Sequence, residues 1–203
     1  MNTLTAYTKK ATVYDTRTAA FADWRRRIVD AIPLSKGDTV LDIGCGTGLC
    51  MPMLADRVGP TGAIVGVDES PEMLAVARRR TEEEQLRNVV FIESRVEQAD
   101  IPVRADAAVF CAAHDVLRSR PALDRVFSRL RPGGWVVAGG GKWAPPWMVA
   151  LNMWVLAAHQ PYVRDFTGFD RPWSLLAGYV DDLNVLDLVC GYVAVGRARD
   201  ATG

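Results

Sequence analysis

Between Asp42 and Gly48 the chain reads Asp-Ile-Gly-Cys-Gly-Thr-Gly, three glycines at alternate positions after a short apolar run, Thr39 to Ile43. Lacking a Cβ, such residues let the backbone turn sharply and approach a ligand closely. Helical composition from Gly48 to Val58 predicts a helix starting at the turn, its free N–H groups aimed at whatever the turn holds. The spacing restricts that ligand. A dinucleotide turn needs glycine where Leu49 stands, and the Gly-Lys-Ser or Gly-Lys-Thr ending of a P-loop is absent. A second apolar run, Ala63 to Val67, ends in Asp68-Glu69, where a carboxylate can accept hydrogen bonds from both hydroxyls of a ribose.

A different chemistry is offered by Cys111-Ala112-Ala113-His114-Asp115, which follows the apolar run Ala107 to Cys111. His114 is one of two histidines, and an ordinary pKa of about 6.5 suits proton transfer near neutrality. Asp115 is the alternative. As sequence neighbours their side chains are expected to diverge, and the plainer role for both is to orient the loop or cap the next segment. Cys111 reads as a small packed residue, since nothing nearby lowers its pKa.

Composition narrows the rest. Lys plus Arg and Asp plus Glu both total 24, so no net field draws the chain to nucleic acid. The triplets Arg25-Arg26-Arg27 and Arg78-Arg79-Arg80 are expected on solvated helix faces. Cys45, Cys50, Cys111 and Cys190 lack metal-ligand spacing, so no metal is expected, and scattered cysteines suit a reducing compartment. With no apolar leader and no stretch of about 18 apolar residues, a cytoplasmic protein is expected.

These candidates need a frame. Residues 16–32 carry Phe21, Trp24, Ile28 and Ala31 at helical spacing, closed by Pro33. Ser70-Pro71 starts another helix, with Ser70 at the N-cap. Val89 to Ile92 is a third strand, Ala107 to Cys111 a fourth, Pro121 to Leu130 a helix and Trp135 to Ala138 a fifth strand. Such alternation implies parallel strands joined by right-handed crossovers. Val185 to Leu188 and Tyr192 to Val195 are too close for a crossover and must pair as a hairpin. The expected fold is α/β, a doubly wound, mostly parallel seven-stranded sheet with an antiparallel C-terminal hairpin. One domain is expected over 1–203: a helical cap (1–35), a cofactor-binding core (36–140), an aromatic lid insertion (141–183) and the hairpin (184–203).

Three of these segments carry a resemblance. Val40 to Gly48 resembles the first motif of class I S-adenosylmethionine-dependent methyltransferases, and Gly66-Val67-Asp68-Glu69-Ser70-Pro71-Glu72-Met73-Leu74 their second. Leu130-Arg131-Pro132-Gly133-Gly134 is similar to their turn before strand five. The likeness covers about residues 14–140 in the family's order. It implies that Asp42, Gly44, Cys45, Gly46 and Gly48 hold the methionine part of S-adenosylmethionine, and that Asp68, beside Glu69, binds its ribose. Met73 would pack near the adenine, and Ala112 would complete the cofactor set. Many members carry an acid after strand three that contacts the adenine amino group. Here the run is Ser94-Arg95-Val96-Glu97, and Arg95 cannot accept that bond, leaving the Val96 backbone or Glu97. The end of strand four would lie beside the methyl group, making His114 and Asp115 the catalytic candidates. Methyl transfer is an in-line displacement, so alignment matters most and can supply about 7–11 kcal/mol. A base is needed only where the acceptor carries a proton.

The insertion has its own character. Trp143, Trp147, Trp154, Tyr162, Phe166, Phe169, Trp173 and Tyr179 crowd a short stretch, and a helix expected over 146–158, about 20 Å long, has almost no polar face. Such a helix must be covered, by the core, as a lid over an apolar pocket, by a twin subunit or by a lipid surface. In the resembled family this region and the N-terminal segment commonly build the acceptor pocket, which makes Tyr14, Trp24, Trp143, Trp147, His159, Tyr162 and Trp173 the substrate candidates. Core packing is the competing role for each. An aromatic wall suits a flat or apolar acceptor, or an amine held by cation–π contact. Arg164-Asp165 and Asp170-Arg171 read as local ion pairs. The expected activity is methyl transfer to oxygen or nitrogen of a small, partly apolar or aromatic metabolite, with S-adenosylhomocysteine as product. A phospholipid-headgroup or quinone-lipid acceptor, with peripheral membrane contact through 146–158, is the alternative within the class. A non-catalytic cofactor-binding protein is the alternative outside it, and a homodimer stays open.

Overall fold

Five apolar runs become five parallel strands in a computed structural model that describes residues 13–199. They are β1 (Thr39–Ile43), β2 (Ala63–Asp68), β3 (Val89–Glu93), β4 (Ala105–Cys111) and β5 (Leu130–Gly141). Strands β6 (Val180–Asp187) and β7 (Gly191–Ala198) form the hairpin, and the sheet order is β3-β2-β1-β4-β5-β7-β6. Only β7 runs antiparallel to its neighbours, β5 and β6. This is the doubly wound sheet that the alternation implied.

Side chains alternate between two packed faces, as period-two strands require. Val40, Ile64, Val109 and Val137 face α1 (Ala22–Ala31), α2 (Met51–Val58) and α3 (Pro71–Glu83), meeting Ile28, Leu54 and Leu74. Leu41, Val65, Phe110 and Val136 face the other way, toward Leu123 and Val126 of α5 (Arg120–Phe127). A one-residue slip of β1 would expose its whole apolar set, so register is strongly fixed. Because β1 lies between β2 and β4, the chain reverses direction across the sheet there. The crevice beyond those strand ends is where such sheets bind ligands.

Several boundaries differ from expectation, each for a local reason. The 16–32 helix is broken into a helical run at 13–18, a 3-10 turn at Ala19–Phe21 and α1. Around the break the Thr18 hydroxyl donates back to the Tyr14 carbonyl at 2.9 Å, and Arg25 donates to the Thr18 carbonyl at 3.1 Å. Helix α2 starts at Met51, not Gly48, because Gly48 has a left-handed φ of +74°. Strand β6 begins at Val180, five residues early, and passes an irregularity between Asp181 and Asn184. One unexpected helical turn, α4 (His114–Leu117), follows β4, and the insertion helix, α6, covers Val149–His159.

Candidate cofactor and acceptor site

Gly44 and Gly46 have φ of +70° and +54°, conformations in which a side chain would be strained. The N–H groups of Gly44 and Cys45 donate to the Val67 carbonyl at 2.8 and 3.1 Å, and that of Gly46 donates to Asp68 Oδ2 at 2.8 Å. The turn is thus bolted to the end of β2, and these amides are engaged within the protein instead of facing an anion. A methyl group at Gly46 would meet nothing within 4 Å among the described residues, so the turn borders open space between them there. At Gly44 it would press on the Ala113 Cβ at 3.2 Å, which shows how closely the ends of β1 and β4 meet.

Two carboxyl groups flank this turn. Asp42 is 1% exposed and its Oδ2 has no hydrogen-bond partner among the described residues. Burial, with a smaller push from the Asp68 carboxylate, raises its pKa to about 7. Asp68 Oδ1 accepts from the Ser70 N–H at 2.9 Å while Oδ2 holds Gly46. Burial also raises the Asp68 pKa, against the opposing effect of those N–H bonds. Each oxygen keeps a further lone pair. Ser70 Oγ caps α3 by accepting from the half-buried Met73 at 3.3 Å.

Beyond β3, Arg95 is occupied by acids, Glu97 at 2.8 Å and Glu69 at 3.9 Å, and is 60% exposed. Val96 is buried. Glu69 turns outward and pairs with Arg164 of the insertion. Arg164 and Asp165 therefore do not pair with each other; Asp165 takes Arg118 at 2.8 Å. The expected local pair gives way to two long-range ones that tie the insertion to β2 and α4.

At the end of β4, Ala112 has a φ of +57° and donates its N–H to the Gly139 carbonyl at 2.7 Å. A non-glycine residue held there stores of the order of 1–3 kcal/mol. Next to it, His114 is 6% exposed and, among the described residues, neither ring nitrogen has a well-aligned hydrogen-bond partner, though the Asp165 and Thr167 backbone lies close by. Burial lowers its pKa, opposed by the Asp115 carboxylate, reinforced by Arg118, and opposed again by nearby backbone of Asp165 and Thr167. Asp115 diverges, its Oδ2 accepting weakly from the Arg164 N–H at 3.4 Å. The edge-on partner of His114 is Phe169, at 4.9 Å between ring centroids. Phe169 also meets Trp143, Phe166 and His159 at 5.0–5.3 Å. His159 bonds the Val155 carbonyl through Nδ1 at 2.8 Å, and its pKa too is lowered by burial.

The N-terminal run crosses the glycine turn. Asp15 accepts from the Thr47 hydroxyl at 2.6 Å and from Arg80 at 2.5 Å, and Arg80 Nε donates to the Thr47 carbonyl at 3.0 Å. Tyr14 packs edge-on against Tyr162 at 5.0 Å. Of the substrate candidates, Tyr14 and Tyr162 thus meet each other, and Trp143 and His159 meet through Phe169. The others lie elsewhere. Trp173 is 6% exposed in the core against Tyr192, Trp24 packs over Gly191, and Trp147 is 80% exposed. Nothing in the sequence marks Phe169, Thr47, Asp15 or Arg80 as site residues. Arg80 belongs to a triplet expected on a solvated face, yet it binds inward, and Arg78 lies over the Phe91 ring.

A family model described as a methyltransferase domain matches residues 34–142, more than half of the chain. The chain belongs to the class I S-adenosylmethionine-dependent methyltransferases. This methyltransferase is 35% identical over 209 residues to the aklanonic acid methyltransferase DauC of Streptomyces sp. strain C5, covering 98% of this chain and 94% of that one. It is 31% identical over 115 residues to a demethylmenaquinone methyltransferase of Listeria welshimeri, covering 55% of this chain and 48% of the other. The chain spans less than half the length of several other curated relatives it matches. Its fold matches the crystal structure of an S-adenosylmethionine-dependent methyltransferase from Aquifex aeolicus with a TM-score of 0.63 at 21% identity, covering 94% and 98% of the two chains.

S-adenosylmethionine is accordingly the cofactor of this methyltransferase, and its residues fit that molecule. The unpartnered Asp42 oxygen suits a cation, the space at Gly46 admits a ligand against the backbone, and Asp68 retains acceptor capacity. Among the described residues no helix is long and apolar enough to cross a membrane.

Proposed function

We propose that the methyltransferase moves a methyl group to an oxygen or nitrogen of a small, partly apolar or aromatic molecule bound beside His114 and the aromatic cluster it packs on, Trp143, Phe166 and Phe169. The observation that carries this reading is His114, buried beside the end of β4 with neither ring nitrogen in a well-aligned hydrogen bond among the described residues. A neutral imidazole in such surroundings is available to take a proton from an acceptor hydroxyl or amine. When bound, S-adenosylmethionine supplies an electrophilic methyl group on a sulfonium. Asp42 and the turn hold the cationic methionyl end, Asp68 the ribose hydroxyls, and the Val96 backbone the adenine edge. The aromatic cluster and the 160–170 segment exclude water, which strengthens every polar contact inside. Similarity to DauC along nearly the whole chain supports a small-molecule acceptor.

The test is an acceptor panel of phenols, aromatic acids, amines and short-chain quinols, scored by S-adenosylhomocysteine release. Turnover on flat, proton-bearing acceptors is expected. Tight cofactor binding with no product above background across the panel would favour a non-catalytic binding protein. Preference for quinols would favour the quinone-lipid reading, which the Listeria relative supports.

Asp42 makes a separate, acceptor-free prediction. Its raised pKa means its contribution to folding is fully present below the unfolded value of about 4 and is lost as the pH climbs through about 7. A bound cation favours the carboxylate, so cofactor binding at pH 6 should release close to one proton, and at pH 8.5 almost none. Calorimetry in buffers of different ionisation enthalpy measures this directly. Asp42→Asn should abolish the release; a release equal in the variant would remove Asp42 from the cationic end.

A further inference from the structure

We infer that α6 is the self-association surface of this protein and that its occupant is a second copy of the same chain. The helix has 11 residues, about 16 Å, and its polarity is inverted. Its polar side chains are engaged close to the chain itself: Asn152 bonds the backbone of Ala144 and Pro145, and His159 bonds Val155. Its one buried residue is Val155. The outward side is apolar throughout, with Val149 65% exposed, Met153 62% and Leu156 37%, flanked by Trp154, 51% exposed with its ring against Phe21. Trp147 and Met148 extend this surface at its N-terminal end.

Three features favour a second copy. Val149, Met153 and Leu156 sit at i, i+4 and i+7, a seam on which a facing helix packs. A two-fold contact places the same seam on both sides, so one patch is complementary to itself. The exposed apolar side chains amount to roughly 600–700 Å², close to the 800 Å² or so per partner of a standard interface. A monomer ordinarily leaves no more than about 300–600 Å² open in one patch. Finally, a formal net charge of zero opposes no approach between copies.

A lipid surface fits less well. Interfacial helices carry Lys or Arg beside the apolar face. Between Lys142 and Arg164 the sequence has no charged residue, and both flanking cations are already paired, with Asp187 and Glu69.

The test is light scattering and sedimentation of the full chain over about 1–100 μM. Wild type is expected at twice the 22.2 kDa chain mass. Met153→Glu, which puts a charge on the seam, should raise the dimer dissociation constant at least about 100-fold. Its circular dichroism and S-adenosylhomocysteine affinity should stay unchanged, and Val149→Glu should behave alike. A wild-type monomer across the range overturns the inference. If that monomer floats with phosphatidylcholine vesicles and Met153→Glu does not, the surface is a lipid contact instead. A dimer that survives both substitutions also overturns it, since it must then use another face.

Discussion

His114→Phe is expected to lower kcat/KM for the best hydroxyl- or amine-bearing acceptor by about 10²–10⁴-fold, while S-adenosylhomocysteine affinity stays within about twofold. Phenylalanine keeps a flat ring in edge contact with Phe169 but has no nitrogen to receive a proton. Burying two unpartnered ring nitrogens costs of the order of 1–3 kcal/mol, so the substitution should also hold or raise the melting temperature. Opposite movements of stability and rate mark a site residue, because a packing residue would lose both together. The pH profile adds a third readout. Burial pulls the imidazole pKa below its ordinary value, so the wild-type acid limb should lie below about pH 6.5 and vanish in the variant. An acceptor that is already a carboxylate has no proton to lose and should show a much smaller drop. A variant keeping a third or more of wild-type kcat/KM on a hydroxyl acceptor would relieve His114 of this role.

The glycine turn and the acidic strand end, to which the proposal assigns the cofactor, were readable in sequence because they are local. Asp42 to Gly48 and Asp68 to Met73 are continuous stretches whose spacing alone fixes a turn, a strand end and a capped helix. The proposed acceptor half was legible only as residue types, since His114, Trp143 and His159 come from separate segments that meet only through Phe169, while Tyr14 meets Tyr162 apart from them. Aromatic type says nothing about which side of a sheet a ring will occupy, and so Trp173 and Trp147, alike in sequence, end in the core and in solvent. Charge runs mislead in the same way. Arg80 reads as solvated until the N-terminal run brings Asp15 to it across 65 residues. The fifth strand, expected over Trp135 to Ala138, continues through Gly139-Gly140-Gly141. Side chains at Gly139 and Gly141 would collide with Ile28 and His159, so close packing, and not a turn, is what those glycines serve.

Asp68→Ala should weaken S-adenosylhomocysteine binding about 10- to 150-fold, the loss of two charge-assisted hydrogen bonds worth about 1.5–3 kcal/mol together. Asp68 has a second job, which sets this as a lower bound. Its oxygens also receive the Gly46 and Ser70 N–H groups, so removing the carboxylate frees the glycine turn from β2 and the entrance to α3. Direct contact and turn-bolting are separable with a cofactor analogue lacking one ribose hydroxyl. If Asp68 binds the ribose, wild type should lose affinity for the deoxy analogue and Asp68→Ala should lose little more, giving a coupling energy of about 0.5–3 kcal/mol. If Asp68 only bolts the turn, the two losses add. Asp68→Asn keeps one acceptor oxygen and should fall between. Additive losses would leave the ribose to some other residue, and an Asp68→Ala affinity within threefold of wild type would show that the turn holds its ligand without this carboxylate.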